Sequence, residues 1–278
     1  MNTGLGVDQD RMITPDEFAW VRSFLFERTG IELKSGKESM VMGRLDRRLR
    51  HYGIDSYTEY FARIGDRDPL ETQLAIDLLT TNETYFFREP SHFDFLARVM
   101  GTLPVRPAPV RIWSAACSSG QEAYTIAMVL AEHLPPEQDW QVLGTDISSR
   151  MVETARRGMY PIEAAQHIPK RMLHNYCLRG RQEYEGFLAI DRQLAEHVAF
   201  REANLIDLPG NLGSFDIIFL RNVMIYFGLE TKRALVARMI EALHPGGYLI
   251  LSHSETLNGI STNLQTIQPS IYRAGEPG

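Results

Sequence analysis

The residues best placed to do chemistry lie at positions 215–226, Phe-Asp-Ile-Ile-Phe-Leu-Arg-Asn-Val-Met-Ile-Tyr, where an apolar run gives way to Arg221, Asn222 and Tyr226. A strand covered on both faces has that continuous apolar pattern, and open α/β sheets bind ligands outside the carboxyl ends of their strands. Taken alone, the same pattern also suits an asparagine capping the next turn and a tyrosine in the core. Other segments share this placement. Ser114-Ala115-Ala116-Cys117-Ser118-Ser119-Gly120-Gln121-Glu122 is a run of small residues opening a helix, where a ligand can approach the backbone. It lacks the Gly-x-Gly-x-x-Gly spacing of a dinucleotide fold, which counts against a dehydrogenase. Gly144-Thr145-Asp146 ends the next strand in a carboxylate, 26 positions after Gly120. An acid about 20 residues beyond such a turn accepts hydrogen bonds from ribose hydroxyls, although Asp146 also stands where it could cap the helix near Ser148. Asn204 and Leu205, after the third strand, could offer an amide and an apolar face to an adenine, and in isolation suit a plain loop asparagine equally well.

Two further constellations lead elsewhere. Ser252-His253-Ser254-Glu255 contains nucleophile, base and acid types, but four adjacent positions do not converge as a catalytic triad does. The eight histidines show no zinc or His-Glu-x-x-His spacing, so no metal is expected.

The elements that position these residues follow from punctuation and period. Thr14-Pro15-Asp16-Glu17 combines an N-cap, a first-turn proline and a capping-box glutamate, and Gly30 is a stop. Ser35 and Glu38 repeat the capping-box spacing, after which Val41, Leu45 and Leu49 form one apolar stripe. Asp68-Pro69-Leu70-Glu71 opens another helix. Residues 12–79 therefore read as a small all-helical domain. After the breaker-rich stretch 103–109, short apolar runs at 110–113, 141–145, 198–202, 215–220 and 248–252 alternate with helical segments such as 122–132 and 231–243. This is the signature of βαβ units in a doubly wound, mostly parallel sheet. The gap at 158–194 reads as an inserted small sheet, and 267–273 as a last antiparallel edge strand. The domains expected are 1–80, all helical, and 81–278, α/β with its insert.

Composition sets limits. The 278 residues carry 44% hydrophobic and 23% charged side chains, an ordinary globular balance, and a net charge of −6 that disfavours nucleic acid as the main partner. Cys117 and Cys177 have neither pairing nor metal-ligand spacing, and the first ten residues lack the apolar core of a signal peptide, so a cytoplasmic location is expected. No apolar run approaches the ~20 residues of a membrane helix, so no membrane insertion is expected. Between Lys34 and Arg50, however, six cations (Lys34, Lys37, Arg44, Arg47, Arg48, Arg50) stand against two carboxylates (Glu38, Asp46), a basic segment on which an anionic partner could dock and which by itself suits a solvated helix face as well.

Taken together, Thr80-Thr81-Asn82-Glu83-Thr84-Tyr85-Phe86-Phe87-Arg88-Glu89, residues 111–128, Gly144 to Ser148 and Arg221 to Phe227 resemble the chemotaxis receptor glutamate methyltransferase family, CheR. The resemblance covers nearly the whole chain. It implies a class I S-adenosylmethionine-dependent methyltransferase fold, Rossmann-like, in which Ala242-Leu243-His244-Pro245-Gly246-Gly247-Tyr248 forms a Pro-Gly-Gly turn from helix to strand. It implies S-adenosylmethionine as methyl donor, S-adenosylhomocysteine as product, and glutamates in the cytoplasmic helical region of membrane chemoreceptors as acceptors. By resemblance, Asn82, Thr84, Arg88, Glu122, Asp146, Asn204, Leu205, Arg221 and Asn222 form the cofactor shell, with Arg88 at the methionine end. Arg88 and Tyr226 would orient reacting groups, and Arg44, Arg47, Arg48 and Arg50 would face the receptor. Some members also grip a receptor carboxyl-terminal peptide through a Gly-x-Gly-Pro loop in the inserted sheet. Arg179-Gly180-Arg181-Gln182-Glu183-Tyr184 lacks that pattern, which counts against tethering here.

A glutamate with its usual pKa of about 4.3 is already ionised at neutral pH, so such an enzyme needs alignment and exclusion of water but no general base. Alternatives from the residues alone are a methyltransferase for another protein or small molecule, and a cofactor-sensing module without transfer. A nucleic-acid methyltransferase fits less well, because Asn222-Val223-Met224-Ile225 stands where an Asn-Pro-Pro-Tyr sequence would be expected.

Overall fold

Local chemistry starts the first helix where the sequence places it. In a computed structural model describing residues 12–64, 67–208, 212–260 and 263–275, Thr14 caps α1 (Pro15–Thr29) by a reciprocal capping box with Glu17, and Gly30 closes it at φ 73°. Such a cap contributes about 1 kcal/mol. The second start differs from expectation. The N-cap of α2 (Glu38–Tyr52) is Lys37, without a side-chain capping bond, and Ser35 lies outside the helix. Gly36 turns the chain at φ 83°, and the Glu38 carboxylate accepts from its N–H at 3.3 Å, so the glutamate reaches back two residues instead of three. Val41, Leu45 and Leu49 form the buried stripe of α2. Short α3 (Tyr57–Phe61) and α4 (Pro69–Leu79) follow, the latter capped by Asp68 accepting from Glu71 N–H at 3.0 Å.

The chain divides into two units, Met1–Thr81 with Tyr226–Gly228, and Asn82–Ile225 with Leu229–Gly278. In the first, Ile31 forms an isolated antiparallel bridge with Phe227, and Glu32 N–H donates to the Tyr226 carbonyl at 2.8 Å.

The second unit opens with α5 (Ser91–Gly101), then β1 (Val110–Ala115), α6 (Gln121–His133), β2 (Trp140–Asp146) and α7 (Ser149–Arg157). The insert follows as β3 (Met159–Pro161), α8 (Lys170–Tyr176), β4 (Cys177–Arg179) and β5 (Phe187–Ile190), with α9 (Arg192–Ala195) leading back to the sheet. Then come β6 (Val198–Glu202), β7 (Phe215–Leu220), α10 (Leu229–Glu241), β8 (Leu243–Leu251), β9 (Gln265–Gln268) and β10 (Ile271–Arg273). The main sheet has the order β6-β2-β1-β7-β8-β10-β9, parallel through its first five strands, with β10 antiparallel to both neighbours. The strand order reverses between β1 and β7, the switch point at which such sheets open a crevice. Trp113, Ile112, Ile217, Ile218, Phe219 and Leu220 are fully buried, as the unbroken apolar runs require. The insert is a separate antiparallel sheet, β3-β5-β4.

Two readings change in detail. The segment 267–273 is a hairpin, with β10 inside the sheet and β9 at its edge, because Ser270 turns the chain at φ 64°. The Pro-Gly-Gly piece is no separate turn but the first part of β8. Its register against β7 shifts between Phe215 and Ile217, and a Cβ on Gly247 would lie 2.8 Å from the His244 carbonyl and 2.9 Å from that of Asp216. Backbone contact of that closeness admits only glycine. Cys117 and Cys177 are both free thiols, and among the described residues no helix is long and apolar enough to cross a membrane.

Candidate functional site

The carboxyl ends of β1, β2 and β7 carry the polar residues, and each is fixed by the backbone around it. After β1, Ala116, Ser118 and Gly120 alternate into positive φ (65°, 50° and 90°), which folds the small-residue run into a tight turn at the start of α6. A Cβ on Gly120 would stand 2.7 Å from Ala155 Cβ, so the turn stays bare. Asp146, buried at the end of β2, accepts from Ser118 N–H at 2.7 Å through Oδ2 and from Ser148 N–H at 2.9 Å through Oδ1. Asp146 thus holds the start of α7, as its capping reading expects, and also the turn before α6, which the sequence did not suggest. At the end of β6, Asn204 Oδ1 accepts from Ile206 N–H at 3.2 Å and Leu205 is buried.

Glu122, in the first turn of α6, accepts from Ser114 Oγ at 2.7 Å and pairs with Arg221 at 2.6 Å. The Arg221 side chain is 1% exposed. It also donates to the Arg88 carbonyl at 2.5 Å and lies 3.2 Å from Glu89. Its two terminal nitrogens thus position Glu122 and the loop of residues 82–89, while its buried Nε has no hydrogen-bond partner. Asn222 follows at φ 58°, a left-handed conformation that asparagine tolerates, with its N–H donating to Glu255 at 3.0 Å.

The 82–89 loop is irregular because it is clipped at three points. Ser118 Oγ donates to the Asn82 carbonyl at 2.8 Å, Phe87 N–H to Thr125 Oγ1 at 3.2 Å, and Arg221 to the Arg88 carbonyl. Buried Phe86 packs edge-on against Tyr160, centroids 5.1 Å apart. Thr84 and Arg88 are half-buried; Arg88 donates to the Glu83 carbonyl at 2.8 Å and lies over the Tyr85 ring. A cleft of about 590 Å³ flanks the loop, lined by Tyr85, Phe87, Phe93, Val129, His167 and Met172 among others, and by none of the expected cofactor residues.

Sequence reasoning missed several residues here. Buried Glu255 accepts from Asn222 N–H, Ile225 N–H, Ser252 N–H and Ser252 Oγ, so it holds together the chain after β7 and after β8. The Ser252-x-x-Glu255 spacing was its signal, the pattern of a capping box applied at a strand end. Ser114 and Ser118 gave no signal beyond small size. Glu89, His92 and His253 also come together, with one donor atom from each within 4.8 Å of the others, although the histidines are far apart in sequence. Burial opposes ionisation of Glu89, but the Arg221 charge and the His253 N–H outweigh it and lower its pKa. Burial, then the Arg221 charge, push His92 down to about 4, so its imidazole is neutral at physiological pH.

In the first unit the basic helix divides. Arg44 donates to the carbonyls of Leu79 and Thr80 at 2.8 and 2.9 Å, closing the carboxyl end of α4. Arg48 forms a bidentate pair with buried Glu71, at 2.9 and 2.6 Å. Both are engaged inside the unit. Arg47 and Arg50 are exposed, as are Lys34 and Lys37, with Arg50 paired to Asp46 one turn away. Tyr226, expected beside Asn222 in a reacting site, is grouped with this unit, where its carbonyl accepts from Glu32.

Known proteins resemble this chain along most of its length. The family described as CheR methyltransferase, SAM binding domain, matches residues 82–273, and the CheR methyltransferase all-alpha domain matches residues 16–80. Chemotaxis protein methyltransferase 2 of Pseudomonas aeruginosa is 38% identical over 270 residues, covering 95% of each chain. The chemotaxis protein methyltransferase of Salmonella typhimurium is 35% identical over 96% of this chain and 93% of its own, and that of Escherichia coli 36% identical over 92% and 89%.

Proposed function

Because this chain belongs to the CheR methyltransferase family, we propose that it methylates glutamate side chains in the cytoplasmic helical region of membrane chemoreceptors, forming methyl esters. Membership makes it an S-adenosylmethionine-dependent methyltransferase of chemotactic adaptation. The observation that supports the cofactor site is the pair Glu122 and Asp146, two carboxylates fixed by backbone and side-chain donors beyond the ends of adjacent strands β1 and β2, while the glutamate acceptor follows from the family and from the basic residues of α2.

The donor set fits S-adenosylmethionine on the chain's own evidence. The turn at Gly120 has no room for a Cβ, which leaves bare backbone beside Asp146. Glu122 and Asp146 supply acceptors for ribose hydroxyls, and Asn204 and Leu205 an amide and an apolar face for the base. Asn82, Thr84 and the Arg88 cation suit the amino-acid end, and the Asn222 side chain completes the shell. Arg221 positions Glu122 and the 82–89 loop. When bound, the cofactor supplies an electrophilic methyl group on a cationic sulfur and leaves as S-adenosylhomocysteine.

The rest of the reaction needs little proton chemistry. A receptor glutamate is ionised at neutral pH, so the residues here have to align it and keep water away, effects that together supply roughly 7–11 kcal/mol in favourable cases. The exposed cations Arg47, Arg50, Lys34 and Lys37 steer acidic receptor helices onto an otherwise acidic cytoplasmic protein. Arg44 and Arg48 support that face from within.

The test is transfer of labelled methyl from S-adenosylmethionine to receptor cytoplasmic fragments, with and without their carboxyl-terminal tails. Label released by alkali as methanol, and absent from fragments whose glutamates are replaced by alanine, supports the reading. Alkali-stable label, or label on the glutamate-free fragments, overturns it.

A further inference from the structure

The geometry points to a zinc-binding site made by Glu89, His92 and His253, beside the 82–89 loop and apart from the ribose carboxylates. His92 Nδ1 lies 3.4 Å and His253 Nδ1 4.0 Å from Glu89 Oε2, and the three donors fall within 4.8 Å of one another. Ligands held about 2.0–2.2 Å from a tetrahedral zinc are separated by roughly 3.3–3.6 Å, so side-chain adjustment on the order of 1 Å closes the group.

Both imidazoles have a hydroxyl at Nε2, and for His92 that hydroxyl must accept, because Ser270 Oγ donates to the Pro269 carbonyl at 2.6 Å. His92 Nε2 meets Ser270 Oγ at 2.8 Å, and His253 Nε2 meets Ser91 Oγ at 3.0 Å. A hydroxyl accepting from Nε2–H selects the tautomer whose Nδ1 carries the lone pair, and metal-bound histidines characteristically have such a partner on the other nitrogen. His92 is 1% exposed, yet its Nδ1 has no hydrogen-bond partner. A buried nitrogen in that condition calls for an explanation, and here it is aimed at a carboxylate and a second imidazole. His253, 54% exposed, gives an entry path and leaves room for water as a fourth ligand. Arg221 opposes a cation, since it lies 3.2 Å from the same Glu89 oxygen. Its charge is shared with Glu122 at 2.6 Å, however, so two carboxylates face one guanidinium and a net negative charge remains. Two imidazoles with one carboxylate suit zinc, whereas calcium and magnesium favour oxygen shells. The ion would tie Glu89, the first turn of α5 and the chain beyond β8 to one another.

The experiment is titration of the dialysed full-length chain with zinc chloride against a chelating dye, followed by cobalt substitution read by visible absorption. One zinc per chain is expected, with a cobalt spectrum of the intensity typical of four-coordinate sites and a melting temperature that rises with zinc. His253→Ala, at a half-exposed position, should keep its fold by circular dichroism and weaken zinc binding by about tenfold or more. His174→Ala, an exposed histidine outside the group, should bind as the parent does. Equal zinc affinity in His253→Ala and the parent, or no zinc bound by the parent, overturns the assignment.

Discussion

Replacing Arg48 by alanine tests whether the basic helix is a docking face or an internal brace. Glu71 is 2% exposed and its carboxylate accepts four bonds, two from Arg48 at 2.9 and 2.6 Å, one from Tyr52 at 2.9 Å and one from Tyr60 at 2.7 Å. Breaking a buried ion pair by deleting one partner costs about 3–5 kcal/mol, because the other charge stays buried. Arg48 is 20% exposed and two phenols remain on Glu71, so the low end applies, ~3 kcal/mol. That corresponds to roughly a hundredfold more frequent opening, readable by hydrogen exchange of the α2 and α4 amides at pH 7. Arg47→Ala, at an exposed position of the same helix, should change exchange by no more than about 0.5 kcal/mol. Adding Glu71→Gln to Arg48→Ala should recover more than half of the loss, since a neutral amide still accepts from the phenols. If Arg48→Ala leaves exchange within a factor of about three, or if Arg47→Ala matches it, the brace is wrong. The result also governs receptor assays, in which a destabilised Arg48 variant would imitate a docking defect.

Other outcomes follow from the same structure. Asp146→Asn keeps an acceptor for one of its two backbone donors but removes the charge toward ribose, so S-adenosylhomocysteine affinity by calorimetry should fall about tenfold or more; an unchanged affinity would remove Asp146 from the site. Gly120→Ala places a Cβ 2.7 Å from Ala155 at φ 90°, and thermal unfolding should show a loss of about 2 kcal/mol or more. Burial opposes ionisation of Glu71, yet its bonds from Arg48, Tyr60 and Tyr52 lower its pKa below the unfolded value. Its stabilising contribution is therefore complete above about pH 4.3 and disappears as pH falls through the folded pKa; exchange of α4 amides at descending pH should steepen there, and Arg48→Ala should flatten the profile. Finally, kcat with receptor fragments should be level from about pH 6 to 8, and a sharp loss on protonating one neutral-range group would restore the need for a base.

What the sequence determined by itself was the order of parts. Short unbroken apolar runs alternating with helical segments suit strands covered on both faces, and Thr14, Asp68 and Gly30 fix helix ends through bonds within a few residues, so the helical segment, the parallel sheet and the polar strand tips were all legible. The bond from Asp146 to Ser148 was legible for the same reason, since it lies within two residues, whereas its bond from Ser118 joins two strand tips and was not. Tertiary structure decided which charges face outward. Arg44, Arg47, Arg48 and Arg50 look alike along one helix, and only the packing of α4 against it engages two of them, with the helix end and with Glu71. It also decided that Arg221 is buried in a wall, that Glu255 joins two strand ends, and that His92 meets His253 from more than half the sheet's sequence away. A single side chain's identity does not encode its partner when that partner arrives from a distant strand. Burial then turns the meeting into a strong constraint, because a charge or nitrogen removed from water has to be answered by whatever the fold brings beside it.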